Sequence, residues 1–335
     1  MRIGVIGSGA WGLALASVLV KNGHKVKVFA RNPLELKQIN ENHTQKKAFD
    51  DILLDERIVA YGSIEETIFD AEAILFAVPS AYAYDVILNV NKILDHKVFI
   101  INATKGLDLT HNSTMQKLLY SNLDKSRVLG ISSILGPGFA SEVIKENLTA
   151  VCSVSKDKKI AKITQKLFSN NYFRVYVLTD VIGAEIGTSL KNALAIGSGI
   201  LKGLGFGENS KAALITRGLA EITRFGVYFG ASPETFLGLT GIGDLLLTCN
   251  TMASRNFRAG LKIGEDDSSK EFLETNTMTV EGIGAVKAVH EISKECNIDM
   301  PIINAIYYVL FEDYKPSEVV NELMNRPLKS EKVRF

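Results

Sequence analysis

The chain has 335 residues, and at ~150 residues per domain that length suits two domains. Thirty-eight Lys and Arg stand against 37 Asp and Glu, a formal charge of +1, which excludes the strongly basic balance typical of nucleic-acid-binding proteins. A composition of 46% apolar and 22% charged residues excludes disorder, and three scattered cysteines (Cys152, Cys249, Cys296) exclude a disulfide framework and favour a reducing compartment.

The first segment poses a question of type. Residues 3–20 carry no charge, Arg2 precedes them, and Ala14-Leu15-Ala16 mimics a signal-peptidase site. Gly4, Gly7, Gly9 and Gly12 interrupt the run, however, and Lys25-Val26-Lys27-Val28-Phe29 alternates as a half-buried strand does. A soluble cytoplasmic protein without an integral membrane segment is expected, in which sequons at Asn42, Asn112 and Asn147 carry no weight. Ile3-Gly4-Val5-Ile6 is a short strand, Gly7-Ser8-Gly9-Ala10-Trp11-Gly12 a turn, and Leu13–Val20 a buried helix ended by Asn22-Gly23. A second strand then runs to about Ala30. In this context the GxGxxG pattern signals dinucleotide binding. Gly7 permits the turn, Gly9 lets backbone approach a pyrophosphate, and Gly12 lets helix pack on sheet. The helix N-terminus offers N–H groups to the phosphates. A tight turn with no ligand is the alternative. At the end of the second strand an acid would meet the ribose 2′-OH and an arginine a 2′-phosphate. Here Ala30-Arg31-Asn32-Pro33 has no acid until Glu35. Arg31 tilts the expectation towards NADP over NAD, or towards use of both cofactors; otherwise it is a solvated surface residue.

Further strands are expected at Ala73–Val78, Val98–Asn102, Ile131–Leu135 and Thr149–Val154, alternating with helices such as Tyr82–Leu94 and Ser113–Tyr120. That alternation predicts an α/β, doubly wound, mainly parallel sheet with helices on both faces. After Arg174–Val177 the pattern becomes helical and rich in small residues, so residues 181–335 should form an all-α domain joined near Thr179-Asp180 to a dinucleotide-binding domain of residues 1–180. Domains joined so closely are expected to share a cleft for ligands. Gly264–Glu271 suggests a charged surface loop, Leu328–Phe335 a frayed tail, and Glu41–Arg57 a lid or a plain insertion.

Three islands carry candidate chemistry. Asn102-Ala-Thr104-Lys105-Gly106 puts Lys105 at the C-terminal end of a parallel strand, where such sheets bind ligands. On the helix from about Val181 to Leu201, Lys191 lies in line with Gly183, Gly187 and Ala195, a strip with room for another molecule. Buried there, the lysine is a usable general acid or base. The alternative is a stem crossing apolar surface with its ammonium in water. Gly238–Asp244 and Ser254-Arg255-Asn256 form the third island. Asp244 either caps the helix it opens or fixes Lys191 or a substrate hydroxyl. Arg255 and Asn256 are planar donors suited to a phosphate. The five histidines never fall at HxxxH or HExxH spacing, so no metal is expected.

Eight blocks in order carry a resemblance spanning Arg2 to about Arg326: Gly7–Gly12, Ala103–Gly106, Gly136–Glu142, Lys191–Ala193, Ile215–Glu221, Gly241–Leu245, Ser254–Asn256 and Val280–Gly282. Together they resemble the bacterial-type NAD(P)-dependent glycerol-3-phosphate dehydrogenases. The resemblance implies a Rossmann-type domain and a helical domain that interconvert dihydroxyacetone phosphate and sn-glycerol 3-phosphate, supplying phospholipid synthesis. It implies Lys191 as general acid/base, with Lys105 and Asp244 also catalytic. It places Lys105, Gly136, Gly138, Asn192, Asp244, Thr248, Ser254, Arg255 and Asn256 on the substrate. Gly7, Gly9, Ala10, Trp11, Gly12, Arg31, Lys105, Ala140, Arg255 and Glu281 fall on the cofactor. A small phosphorylated substrate and a homodimer are implied; nucleic acid is not. The family usually has Ser or Thr where Gly138 stands, so a hydroxyl contact is lost or replaced. Prolines usual near Phe49–Arg57 are also absent. The rival enzyme is a lysine-dependent dehydrogenase of another keto or hydroxy acid. A nucleotide-sugar version would need a nucleophile at Cys249, which otherwise reads as a small core residue. A non-catalytic dinucleotide-binding module is the rival from another class.

Overall fold

Successive residues of a strand point to opposite faces, and β1 (Arg2–Ile6) sends Ile3 and Val5 into one apolar cluster and Ile6 into another. A strand buried on both faces needs helices on both. The computed structural model describes residues 1–50, 52–106, 113–328 and 330–331. The sequon at Asn112 and most of the expected frayed tail lie outside these residues. The chain divides into two units, Met1–Val181 and Ile182–Phe335.

In the first unit, β1 leads to α1 (Ala10–Lys21), β2 (Lys25–Phe29), α2 (Pro33–Asn42), β3 (Ile58–Tyr61) and α3 (Ile64–Ile68). Next come β4 (Ala73–Phe76), α4 (Ser80–Ile93), β5 (Val98–Asn102), α5 (Met115–Asn122) and β6 (Val128–Leu135). The unit closes with α6 (Ala140–Val143), β7 (Thr149–Val154), α7 (Lys158–Phe168) and β8 (Phe173–Leu178). The strands form one sheet in the order β3-β2-β1-β4-β5-β6-β7-β8. Only β6 and β7 pair antiparallel, so the expected doubly wound, mainly parallel sheet is present. The order reverses between β1 and β4, the crevice where such sheets bind nucleotides. The charge-free run of residues 3–20 is thus β1, its turn and α1, buried in the sheet's core. Among the described residues no helix is long and apolar enough to cross a membrane. The segment 41–57 packs Phe49 and Leu54 into that same core.

The second unit holds α8 (Val181–Gly203), α9 (Glu208–Tyr228), α10 (Asp244–Cys249), α11 (Arg255–Glu265), α12 (Lys270–Thr275), α13 (Glu281–Glu295), α14 (Pro301–Phe311) and α15 (Pro316–Met324). No strand occurs among its described residues. The expected loop 264–271 is shorter than its composition suggested, because Gly264 is still helical and buried on α11 and α12 begins at Lys270. Its Ser269 is buried and donates to the Val309 carbonyl at 2.6 Å.

The N-terminus of α14 has no cap from its own segment. Glu221 of α9 takes that place, accepting from the Ile302 amide at 2.8 Å and the Ile303 amide at 3.2 Å. Burial pushes this carboxyl up to about 8, against the opposing pull of those amides. An acid with a raised folded-state pKa holds its proton more tightly folded than unfolded, so its contribution is complete below about 4.5 and is lost as pH rises towards 8. Denaturant titrations of wild type and Glu221→Gln should agree near pH 5. By pH 9 the wild type should be the weaker, by on the order of a few kcal/mol. A pH-independent difference would show that Glu221 does not titrate in this range.

Candidate active site

The turn after β1 follows the expected glycine logic. Gly7 sits at φ +128°, and a Cβ there would lie 2.5 Å from the Ala77 carbonyl oxygen at the end of β4. Gly9 caps α1 without any side chain, and a Cβ on it would meet nothing within 4 Å. No side chain caps the first turn of α1, and a helix N-terminus of this kind suits phosphate oxygens. A Cβ on Gly12 would overlap the Gly7 carbonyl oxygen, so the helix approaches its own turn at backbone contact.

Lys105 reaches this turn from the end of β5. The Asn102 side chain folds the intervening segment, accepting from the Thr104 amide at 3.0 Å and donating to the Thr104 carbonyl at 3.2 Å. The Lys105 ammonium lies 4.7 Å from the centre of the Trp11 ring and 3.5 Å from the Gly138 carbonyl oxygen. Where the resemblance suggested a lost hydroxyl, the main chain of Gly138 instead holds a cation. A side chain at 138 would press on the Trp11 ring, with its Cβ 3.1 Å from Cη2. Gly136 takes φ +133°, and Ala140 opens α6. Arg31 is exposed just before α2.

In the second unit, α8 is buried on nearly every face, and the expected strip beside Lys191 is not vacant. A Cβ on Gly187 would lie 2.5 Å from the Thr240 carbonyl oxygen, so the irregular turn Leu239–Gly243 fills that space with backbone. The close packing has a purpose. It places Asp244, at the start of α10, against Lys191, with the ammonium paired to Oδ1. The two side chains are 5% and 1% exposed. Gly243 takes the N-cap position of α10 and neither Asp244 carboxylate oxygen accepts a hydrogen bond from an amide, so the simple cap role is overturned. The Lys191 stem likewise does not lead its ammonium to water.

A second set lies along the same helix. Asn192 accepts from Asn256 Nδ2 at 3.0 Å and donates to Glu281 Oε2 at 3.2 Å. Asn256 accepts from the Gly282 amide at 2.8 Å. Ser254 caps α11 by accepting from the Phe257 amide at 3.2 Å, which puts Arg255 and Asn256 in that helix's first turn. Arg255 stands 3.7 Å from Glu281, half exposed, with most of its donors unused. Thr248 turns back to the Asp244 carbonyl at 2.6 Å. Thus α8, α10, α11 and α13 bring together all the residues predicted in this unit. Asn192 and Asn256 are mainly bonded to the protein, each keeping one amide hydrogen for a ligand.

Buried polar atoms usually find partners, and exceptions call for an explanation. Trp11 Nε1 and Thr104 Oγ1 in the first unit have none, nor do Thr240 Oγ1 and Asp244 Oδ2 in the second. Trp11 and Asp244 are themselves predicted site residues and Thr104 adjoins Lys105, while His43, Thr44, Tyr172 and Asp266 carry such atoms as well. The unpaired Trp11 Nε1 and the uncapped start of α1 fit a dinucleotide. Among the described residues no group of three or more His, Cys, Asp or Glu could hold a metal. Cys249 is fully buried and its thiol is pushed up to about 12, so it is no nucleophile. Sequence reasoning missed two contacts at the glycine turn. Glu35 accepts from Ser8 Oγ at 2.7 Å, and Gln45 donates to the Ser8 carbonyl at 3.3 Å. Glu35 had surfaced only as the first acid after β2, and nothing marked Gln45.

The family model for the N-terminus of NAD-dependent glycerol-3-phosphate dehydrogenase matches residues 2–161, and that for its C-terminus matches residues 180–321. A glycerol-3-phosphate dehydrogenase named for NAD(P)+ from Streptococcus sanguinis (strain SK36) is 44% identical over 98% of this chain and 97% of its own length. One from Streptococcus mutans serotype c is 42% identical over the same shares. The crystal structure of the Coxiella burnetii glycerol-3-phosphate dehydrogenase superposes with a TM-score of 0.90 at 34% identity, covering 97% of this chain and 99% of that one.

Proposed function

Because the chain belongs to the NAD-dependent glycerol-3-phosphate dehydrogenase family, we propose that Lys191 is the proton donor and acceptor of its reaction. The enzyme is an NAD(P)-dependent oxidoreductase that interconverts dihydroxyacetone phosphate and glycerol 3-phosphate. The observation that carries the assignment of Lys191 is its buried pairing with Asp244, whose second carboxylate oxygen has no partner.

A nicotinamide cofactor held by the glycine turn would supply or accept the hydride. Reduction of the ketone carbon leaves an alkoxide, and the Lys191 ammonium gives it a proton; oxidation runs the same proton back. Asp244 orients the lysine, and its free Oδ2 accepts from a substrate hydroxyl. At the N-terminus of α11, the Arg255 guanidinium, the Asn256 amide, the Ser254 hydroxyl and main-chain N–H groups hold the phosphate. Thr248 keeps Asp244 in place, and Asn192 links α8 to that phosphate-binding end. Holding a remote phosphate lets binding energy orient the reacting carbon. In residues 1–180, Gly7, Gly9, Ala10, Trp11, Gly12, Ala140 and Arg31 hold the dinucleotide, and Lys105, with Gly136 and Gly138 beside it, contacts cofactor and substrate. Residues 181–335 carry the proton chemistry, and Glu281 and Arg255 complete the set assigned to the cofactor.

Exposed Arg31 supports a modest preference for NADP, by providing a partner for a 2′-phosphate. A metal-free, cytoplasmic homodimer that supplies glycerol 3-phosphate to phospholipid synthesis completes the reading. Oxidation of NADPH and of NADH, followed with dihydroxyacetone phosphate and with unphosphorylated dihydroxyacetone, tests it. Turnover only with the phosphorylated ketone is expected; equal turnover of both would remove the phosphate site at Arg255 and Asn256.

A further inference from the structure

We propose that Glu35 is the residue that admits NADH, acting as the ribose carboxylate that the end of β2 lacks. The inference rests on the dinucleotide site proposed above. Rossmann-type sites place an acid about 20 residues beyond the glycine turn to accept from the ribose 2′-OH. Here the position directly after β2 holds Ala30-Arg31-Asn32, but Glu35 falls 23 residues beyond Gly12. It stands in the first turn of α2, whose start is fixed by Asn32 accepting from the Leu34 amide at 2.9 Å.

Sequence distance alone would leave this carboxylate pointing anywhere around the helix. The structure ties it to the glycine turn. Its Oε2 accepts from Ser8 Oγ at 2.7 Å, and Ser8 is buried between Gly7 and Gly9. Gln45 holds the same residue from another side through the Ser8 carbonyl, at 3.3 Å. The carboxylate is therefore anchored at the cofactor turn by one oxygen, and Oε1 is the acceptor for a ribose hydroxyl. A 2′-phosphate in the same place meets a negative charge, which Arg31, four residues earlier and exposed, offsets. Glu35 and Arg31 thus pull in opposite directions, and a chain carrying both takes either cofactor.

Isothermal titration calorimetry of NADH and NADPH binding to wild type, Glu35→Gln and Arg31→Ala tests this without relying on turnover. Glu35→Gln keeps an acceptor for Ser8 while removing the charge. It should shift the NADPH-to-NADH affinity ratio roughly tenfold towards NADPH. Arg31→Ala should move the ratio the other way. A ratio unchanged in Glu35→Gln, or equal weakening of both cofactors, would overturn the role of Glu35 and leave the dinucleotide site standing. A wild type that binds neither cofactor would overturn both.

Discussion

Lys191→Ala should bind NADPH as wild type does and lose turnover by roughly 10²- to 10⁴-fold, the range associated with a positioned general acid. The substitution has a second consequence, because it leaves Asp244 buried with no cation beside it. Removing one partner of a buried ion pair costs about 3–5 kcal/mol, chiefly through the stranded charge. A low turnover could therefore reflect a damaged second unit rather than missing chemistry. Lys191→Ala combined with Asp244→Asn separates the two effects. The double variant removes the stranded charge, so its denaturation midpoint should recover towards wild type while turnover stays low. A small primary amine added to Lys191→Ala should restore part of the activity, since it brings back an ammonium. Near-normal turnover in Lys191→Ala would end the assignment outright.

The nucleotide half of the protein was legible in the sequence because its signals are local. Four residues of strand, a GxGxxG turn and a buried helix are contiguous, and Gly7 and Gly12 make the turn and the close packing their spacing implied. Other parts depend on contacts remote in sequence. β3 has four residues with only Ile58 and Ala60 buried, too short an alternation to register against its charged surroundings. Lys191 was singled out for a reason the structure reverses. The Gly183–Gly187 side of α8 suggested room for a ligand, yet Gly187 is small because the Thr240–Gly241 backbone lies against it. Both readings of the pattern predict small residues, and only the packing decides between them. The same holds for Asp244, where a glycine turn before an acid is the usual signature of a cap and here delivers a buried counter-ion. Glu221 shows the limit most plainly. It completes the end of a helix 80 residues away, and no local pattern encodes that.

A large effect on stability is also expected from Gly260→Ala, a change of one methyl group. A Cβ on Gly260 of α11 would overlap the Ile196 carbonyl oxygen of α8, and one on Gly199 of α8 would overlap the Phe257 carbonyl oxygen of α11. Gly203 and Gly264 repeat the arrangement one turn further along, against Leu261 and Ile200. The two helices therefore touch backbone to backbone over a GxxxG pair on each, and no side-chain rotamer can relieve an added atom there. Overpacking a core ordinarily costs about 1–3 kcal/mol, occasionally more, and a clash with main chain belongs at or above the upper end. Pushing the helices apart also moves the first turn of α11, where Asn256 bonds Asn192 and Arg255 begins the phosphate-binding end. Gly260→Ala should thus lower the denaturation midpoint and raise KM for dihydroxyacetone phosphate, while calorimetric affinity for NADPH falls less. Gly207→Ala is the matched control, because a Cβ at that position meets nothing within 4 Å and its φ is an ordinary −86°. If the two variants lost stability equally, the backbone contact between α8 and α11 would not be what holds the phosphate-binding turn in place.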